Sequence, residues 1–104
     1  MPFDAGQEKY ILMCEMDPIR WNDWNQEHIE RHNVSRQEAE VLIRQARRPY
    51  PLYQGHSKWL VRGQTDTGDY LQVVYIYSPA DTIFVIHARP LTDNEKRQSR
   101  RRRK

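Results

Sequence analysis

A chain of 104 residues has room for one domain and a modest hydrophobic core, which excludes a multidomain enzyme. With 38% hydrophobic and 30% charged residues it can fold. Its longest early apolar run, Tyr10 to Cys14, is too short for a signal-peptide core or for the ~20 residues of a membrane span, so no membrane association is expected. The net charge of +3 is unevenly placed. All fourteen acidic residues precede Lys96, whereas Lys96, Arg97, Arg100, Arg101, Arg102, Arg103 and Lys104 crowd the end. Such a tail attracts polyanions through counterion release whatever the body of the fold does, although it also fits a solvated helix end. Cys14 has no partner for an internal disulfide, which fits a reducing compartment and makes the cytoplasm the expected location.

Residues 1–18 carry no clear period and read as an N-terminal extension, with Asp17-Pro18 as a turn and Tyr10, Ile11 and Leu12 available to pack on the core. Ile19 to Trp21 is a weak candidate for a short edge strand. Asp23-x-x-Gln26 resembles a capping box and starts a short helix to His32, which Asn33 ends because asparagine tolerates the left-handed conformation. Ser35-x-x-Glu38 is a stronger box. After it Ala39, Leu42, Ile43 and Ala46 form one apolar stripe of a helix that Pro49 stops.

The period then changes. Lys58 to Gln64, Asp69 to Tyr77 and Thr82 to Arg89 are rich in β-branched and aromatic residues and are separated by Thr65-Asp66-Thr67-Gly68 and Ser78-Pro79-Ala80-Asp81. They predict a three-stranded antiparallel meander whose middle strand is apolar on nearly both faces. Thr92-x-x-Glu95 caps a last helix that runs into the basic tail, residues 98–104. The expected class is α+β: two N-terminal helices, a three-stranded antiparallel sheet and a C-terminal helix.

The order of these elements, with Trp21-Asn22, Arg31-His32-Asn33-Val34-Ser35, Glu38-Ala39, Gly63, Gly68-x-Tyr70-Leu71-x-Val73-Val74 and Ala88-Arg89-Pro90-x-Thr92-x-x-Glu95-x-Arg97, resembles the BrnT family of bacterial toxins. The likeness covers residues 19–97. It implies a RelE-like ribonuclease fold, metal-independent RNA cleavage that inhibits translation, and neutralisation by a cognate BrnA-like, DNA-binding antitoxin. Whether the chain acts as a homodimer or a toxin–antitoxin hetero-oligomer stays open. The alternative is a non-catalytic module of the same fold that binds protein or nucleic acid through its sheet and tail.

Metal-free RNA cleavage needs a base for the 2′-hydroxyl, a cation for the phosphorane charge and an acid for the 5′-oxygen. His28 and His32, four apart, share a helix face and suit base and acid; His32 equally suits a helix-end contact to a carbonyl. Two histidines at this spacing can chelate zinc, but Ile29 follows the first and no third ligand is evident, so neither metal nor cofactor is expected. Arg89 and Arg62 fall where a meander brings both to one end of the sheet, as a phosphate clamp requires. The resemblance makes Arg89 the first choice; its structural alternative is an ion pair to Glu95 or Glu38. Tyr70, Lys58 and His56 are further candidates, and His87 reads as a cross-strand packing residue. Of the tryptophans, Trp59 is expected to be exposed and able to stack on bases, with Trp21 and Trp24 in the core. Lys96, Arg97, Arg100 and Arg101 complete the expected RNA contacts, and Gly63 and Gly68 read as turn residues.

Overall fold

The computed structural model describes residues 18–77 and 82–102, with side chains through Ser99. Among these, five strands and three helices follow one another: β1 (Ile19–Arg20), α1 (Asp23–Glu30), α2 (Arg36–Arg44), β2 (Leu52–Gly55), β3 (Lys58–Gln64), β4 (Tyr70–Tyr77), β5 (Ile83–Pro90) and α3 (Asp93–Arg102). The α+β class is as expected, but the sheet is larger than a three-stranded meander. Its order is β1-β5-β4-β3-β2, with β1 parallel to β5 and every other pair antiparallel. The expected meander is the centre of this sheet. At one edge β2, in a stretch broken by Pro49 and Pro51, pairs with β3. At the other, Ile19 and Arg20 lie opposite Ile83 and Phe84. The Tyr10–Leu12 segment, the Asp17 turn residue, the Ser78–Asp81 turn and Arg103 and Lys104 lie outside the described residues.

Both N-terminal helices begin at reciprocal caps. Around α1 the cap is Asn22 with Asn25, one residue before the expected Asp23 box: the Asn25 N–H donates to Asn22 Oδ1 at 3.0 Å and the Asn22 N–H to Asn25 Oδ1 at 2.8 Å. Two asparagines thus satisfy each other's helix-end donors. The regular helix stops at Glu30, short of His32. Its end closes through Val34 N–H to Ile29 O (3.3 Å) and Asn33 N–H to Glu30 O (3.0 Å), with Asn33 at φ 62°. That is a Schellman closure with Asn33 as the left-handed residue, and Val34 and Ile29 bury together beside it. The Ser35–Glu38 box opens α2 as the spacing predicts. The helix ends at Arg44, before Pro49 can act as its stop.

One face of the sheet takes α2, and Ile29 of α1 joins the same core. Val61, Val73 and Ala88 form a cross-strand row, flanked by Leu71, Tyr75 and Val85, and they pack with Ile29, Ala39, Leu42 and Ile43 in one core. Burying each such aliphatic side chain stabilises the fold by about 1.5–3 kcal/mol before chain entropy is counted. Gly63 lies within β3 rather than in a turn: a Cβ there would sit 3.5 Å from Leu42 Cγ, so the strand runs close beneath α2. Gly68 does occupy the β3–β4 turn, at φ 95°.

The opposite face is read from the same register. Its rows are Lys58/Ile76/Phe84, Leu60/Val74/His87 and Arg62/Gln72/Arg89, followed by the Gln64/Tyr70 pair. Between Val74 and Tyr75 the ladder shifts, because Ile86 is an extra residue in β5. This bulge brings both Phe84 and His87 to the face away from the main core, next to α1.

Candidate functional site

The row Arg62–Gln72–Arg89 runs across the three central strands. Glu95, at the start of α3, closes over one end of it. Arg89 Nη1 and Nη2 donate to Glu95 Oε1 and Oε2 at 2.7 Å each, a bidentate fork. Arg62 Nη2 donates to Glu95 Oε2 at 3.4 Å, and Arg62 Nε to Gln72 Oε1 at 3.0 Å. Glu95 also accepts the Thr92 N–H at 2.9 Å, while its own N–H donates to Thr92 Oγ1 at 3.2 Å, the reciprocal cap expected from Thr92-x-x-Glu95. The hydrogen bonds from Arg89, then that from the Thr92 backbone, hold the Glu95 carboxyl at about 2, well below its ordinary value. The same hydrogen bond raises the pKa of Arg89. Glu38, the other partner considered for Arg89, instead caps α2.

In the neighbouring row of the same face stands His87, two residues from Arg89. Its ring lies 5.6 Å from that of His32 and 6.2 Å from that of His28, centroid to centroid, and His28 and His32 are 6.3 Å apart. His87 is therefore a member of a three-histidine cluster at the α1–β5 contact, not a cross-strand packing residue. Burial, then the proximity of His32, Arg89 and His28, lowers its pKa, so the imidazole is neutral at neutral pH. His32 is T-shaped to both of the other rings. The described residues hold no group of three or more His, Cys, Asp or Glu side chains arranged to bind a metal ion.

An aromatic and cationic ledge continues from this cluster. Trp24 stacks on His28 at 5.3 Å and on Phe84 at 6.1 Å, and the Arg20 guanidinium lies 5.0 Å from the Phe84 ring centroid. Trp24 is 57% exposed, against the expectation that it is a core residue. Trp59 departs the other way. It shares a row with Tyr75 and Val85 on the helix-covered face, packs on the core and against Tyr53, and is only partly exposed. Trp21 packs on the core as expected, with Nε1 donating to Glu40 at 2.6 Å.

The other sequence candidates divide by position. Tyr70 stands at the Arg62 end of the sheet, with Lys96 Nζ 6.0 Å from its ring centroid. Lys58 and His56 lie at the opposite end of β3; Lys58 is four residues, about 13 Å, from Arg62 along the strand. The structure does not bring them to the arginine row. Arg97 is exposed on α3, and the backbones of Arg100 and Arg101 continue that helix. Glu95 and His87 are the site members that sequence reasoning did not rank. The two-residue spacing of His87 and Arg89 placed them on one strand face, but the helix that meets them there was not readable from local pattern.

Beside the arginine row a cavity of about 580 Å³ opens between α2, the 45–50 loop, the ends of β3 and β4, and Ser99 of α3. Comparisons with protein-family models, with curated proteins and with solved structures found no match. No helix among the described residues is long and apolar enough to cross a membrane.

Proposed function

We propose that the chain is a BrnT-type toxin with a RelE-like fold: a cytoplasmic, metal-independent endoribonuclease that inhibits translation and is held inactive by a cognate DNA-binding antitoxin. The observation that carries this reading is the convergence, on one sheet face, of Arg62 and Arg89 around Glu95 with a neutral histidine in the adjacent row. The family resemblance supports it independently.

In this reading His87 accepts the proton of a ribose 2′-hydroxyl, and the freed oxygen attacks the adjacent phosphorus. Arg89 and Arg62 stabilise the negative charge that builds on the phosphorane, their planes held by Glu95 and Gln72. His28 or His32 serves as the acid that gives a proton to the departing 5′-oxygen. The products are a 2′,3′-cyclic phosphate and a free 5′-hydroxyl, and no redox or metal step is required. Trp24, exposed beside His28, is suited to stack on a flanking base. Lys96, Arg97, Arg100 and Arg101 supply salt-dependent affinity along α3.

The purified chain is expected to cut single-stranded RNA in EDTA, leaving 5′-hydroxyl ends, with a rate that falls at acid pH as His87 protonates. Uncut RNA, or cleavage that EDTA abolishes, overturns the enzyme. One observation favours a second reading. Arg89 already spends its fork on Glu95, as a purely structural clamp does, and a non-catalytic binding module then remains. RNA bound but never cut selects it.

A further inference from the structure

We infer that the 580 Å³ cavity beside the arginine row is a subsite for one nucleotide unit, its phosphate held by arginines and its base set between tyrosine and amide side chains. The inference rests on the RNA-directed reading above, and it adds where a nucleotide flanking the cut is seated.

Among the described residues three arginines, Arg47, Arg48 and Arg62, line this cavity, and no Asp or Glu does. Three guanidinium groups around one concave space, with no acidic group in the wall, attract an anion; a planar fork suits a phosphate in particular. Arg47 and Arg48 are exposed. Arg62 is largely buried, its side chain 15% accessible, and its Nε and Nη2 are engaged by Gln72 and Glu95, while Nη1 makes no hydrogen bond among the described residues. It therefore reaches both the catalytic row and the cavity, and it keeps donor capacity.

The rest of the wall fits a base better than a bare ion. Tyr50 and Tyr70 supply ring surface, and Gln64 supplies an amide that can both donate and accept. The Tyr50 residue is buried and its hydroxyl has no hydrogen-bond partner among the described residues, an uncommon state for a buried polar atom and one that a ligand can relieve. The volume lies in the range of small-molecule sites, larger than a phosphate alone needs. Because Arg62 joins the cavity to Arg89 through Glu95, a strand whose scissile phosphate lies on the row can place its neighbouring nucleotide in the cavity.

The test is calorimetric titration of the full chain with uridine and adenosine 5′-monophosphates, the free nucleosides and inorganic phosphate, repeated on an Arg47→Ala/Arg48→Ala variant whose melting temperature is checked. Both substitutions fall on exposed loop positions outside the catalytic row. At least one monophosphate is expected to bind more tightly than its nucleoside and than phosphate, and to lose ~tenfold or more in the variant, as loss of charge-assisted hydrogen bonds entails. With RNA as substrate the variant should raise KM and leave kcat within about twofold. Mononucleotides that bind no better than phosphate, or an unchanged affinity in the variant, overturn the subsite. A wild type that binds mononucleotide in this Arg47/Arg48-dependent way but cuts no RNA removes the ribonuclease and leaves the subsite standing.

Discussion

Arg89 and Glu95 join the last strand to the last helix through two parallel hydrogen bonds of 2.7 Å, six residues apart in the chain. The same carboxylate caps α3 through the Thr92 N–H and receives Arg62 from β3. One side chain thus fixes the helix start and orients two guanidinium groups.

Replacing Glu95 by alanine removes the cap and the pair together and is expected to cost about 1–2 kcal/mol of stability, read as a lower urea midpoint. Glu95→Gln keeps an acceptor for Thr92 but loses the charge, so its loss should be smaller. Equal midpoints for wild type and alanine variant would mean that the clamp contributes nothing to folding.

Acid unfolding should show two windows. The Glu95 carboxyl sits at about 2 in the folded chain, against 4.5 for the free group. On acidification the unfolded chain takes up this proton first, so the stabilisation is complete above about 4.5 and is lost as pH falls toward 2. His87 is also depressed, below its ordinary 6.5. Its contribution is lost at higher pH, as the pH drops below 6.5. Glu95→Gln should flatten the stability profile only in the lower window and His87→Gln only in the upper; profiles unchanged by either substitution count against both assignments.

The difference between what was legible and what was not follows from the range of the interactions. The Ser35 and Thr92 caps and the three central strands are local: three-residue spacings and period-two alternation specify them. The edge strands are not local in this sense: the sequence offers Ile19 to Trp21 only as a short edge-strand candidate, which β1 bears out, and gives no sign of β2. Ile19–Arg20 is a two-residue strand whose existence depends on a parallel partner more than sixty residues away, and Leu52–Gly55 directly follows Pro49 and Pro51 and lacks an apolar run. The site divides similarly. Arg62 and Arg89 share a row because both strands were placed correctly, but the meeting of His87 with His28 and His32 needed the docking of α1 on β5. Burial of Trp24 and Trp59 was misassigned because packing, not residue type, decides it: Trp59 lies on the helix-covered face in the row of Tyr75 and Val85, whereas Trp24 stacks on His28 and Phe84 and stays largely exposed.

Asn25 is fully buried and uses both ends of its amide, accepting from the Asn22 N–H and donating to Arg20 O at 3.1 Å. Asn25→Ala strands these backbone groups and is expected to destabilise by about 1–3 kcal/mol. Because Asn25 ties β1 to α1, hydrogen exchange should quicken at Ile19 to Asn22 before it does so in β3. A midpoint shift below about 0.5 kcal/mol would show that the amide is dispensable.

Two glycines should respond oppositely to alanine. Gly68 holds φ 95°, where a side chain is strained, so Gly68→Ala is expected to cost about 1 kcal/mol or more. At Gly63 the added methyl meets Leu42 at ordinary contact distance and the backbone is a regular strand, so Gly63→Ala should be neutral or stabilising by up to about 1 kcal/mol. Thermal melts of the two variants, compared side by side, decide; a reversed order contradicts the local geometry.

Arg89 separates catalysis from scaffolding. If its guanidinium stabilises the phosphorane, Arg89→Ala should lower the cleavage rate by about a hundred- to a thousandfold, the effect of removing one transition-state donor of ~2.7–4 kcal/mol. Arg89→Lys keeps a positive charge but cannot form the fork to both Glu95 oxygens, so it should recover only part of the rate. A structural clamp predicts another pattern: both variants melt earlier, because Glu95 loses its main partner, yet retain full activity at temperatures where they are folded. Rate and melting temperature measured on the same preparations distinguish the two, since Glu95→Gln supplies a control that loosens the clamp while leaving the arginine in place. Under the catalytic reading Glu95→Gln should slow cleavage far less than Arg89→Ala at equal loss of stability. Activity that follows melting temperature alone across all three variants would reduce Arg89 to a structural residue and leave the proposed ribonuclease without its principal cation.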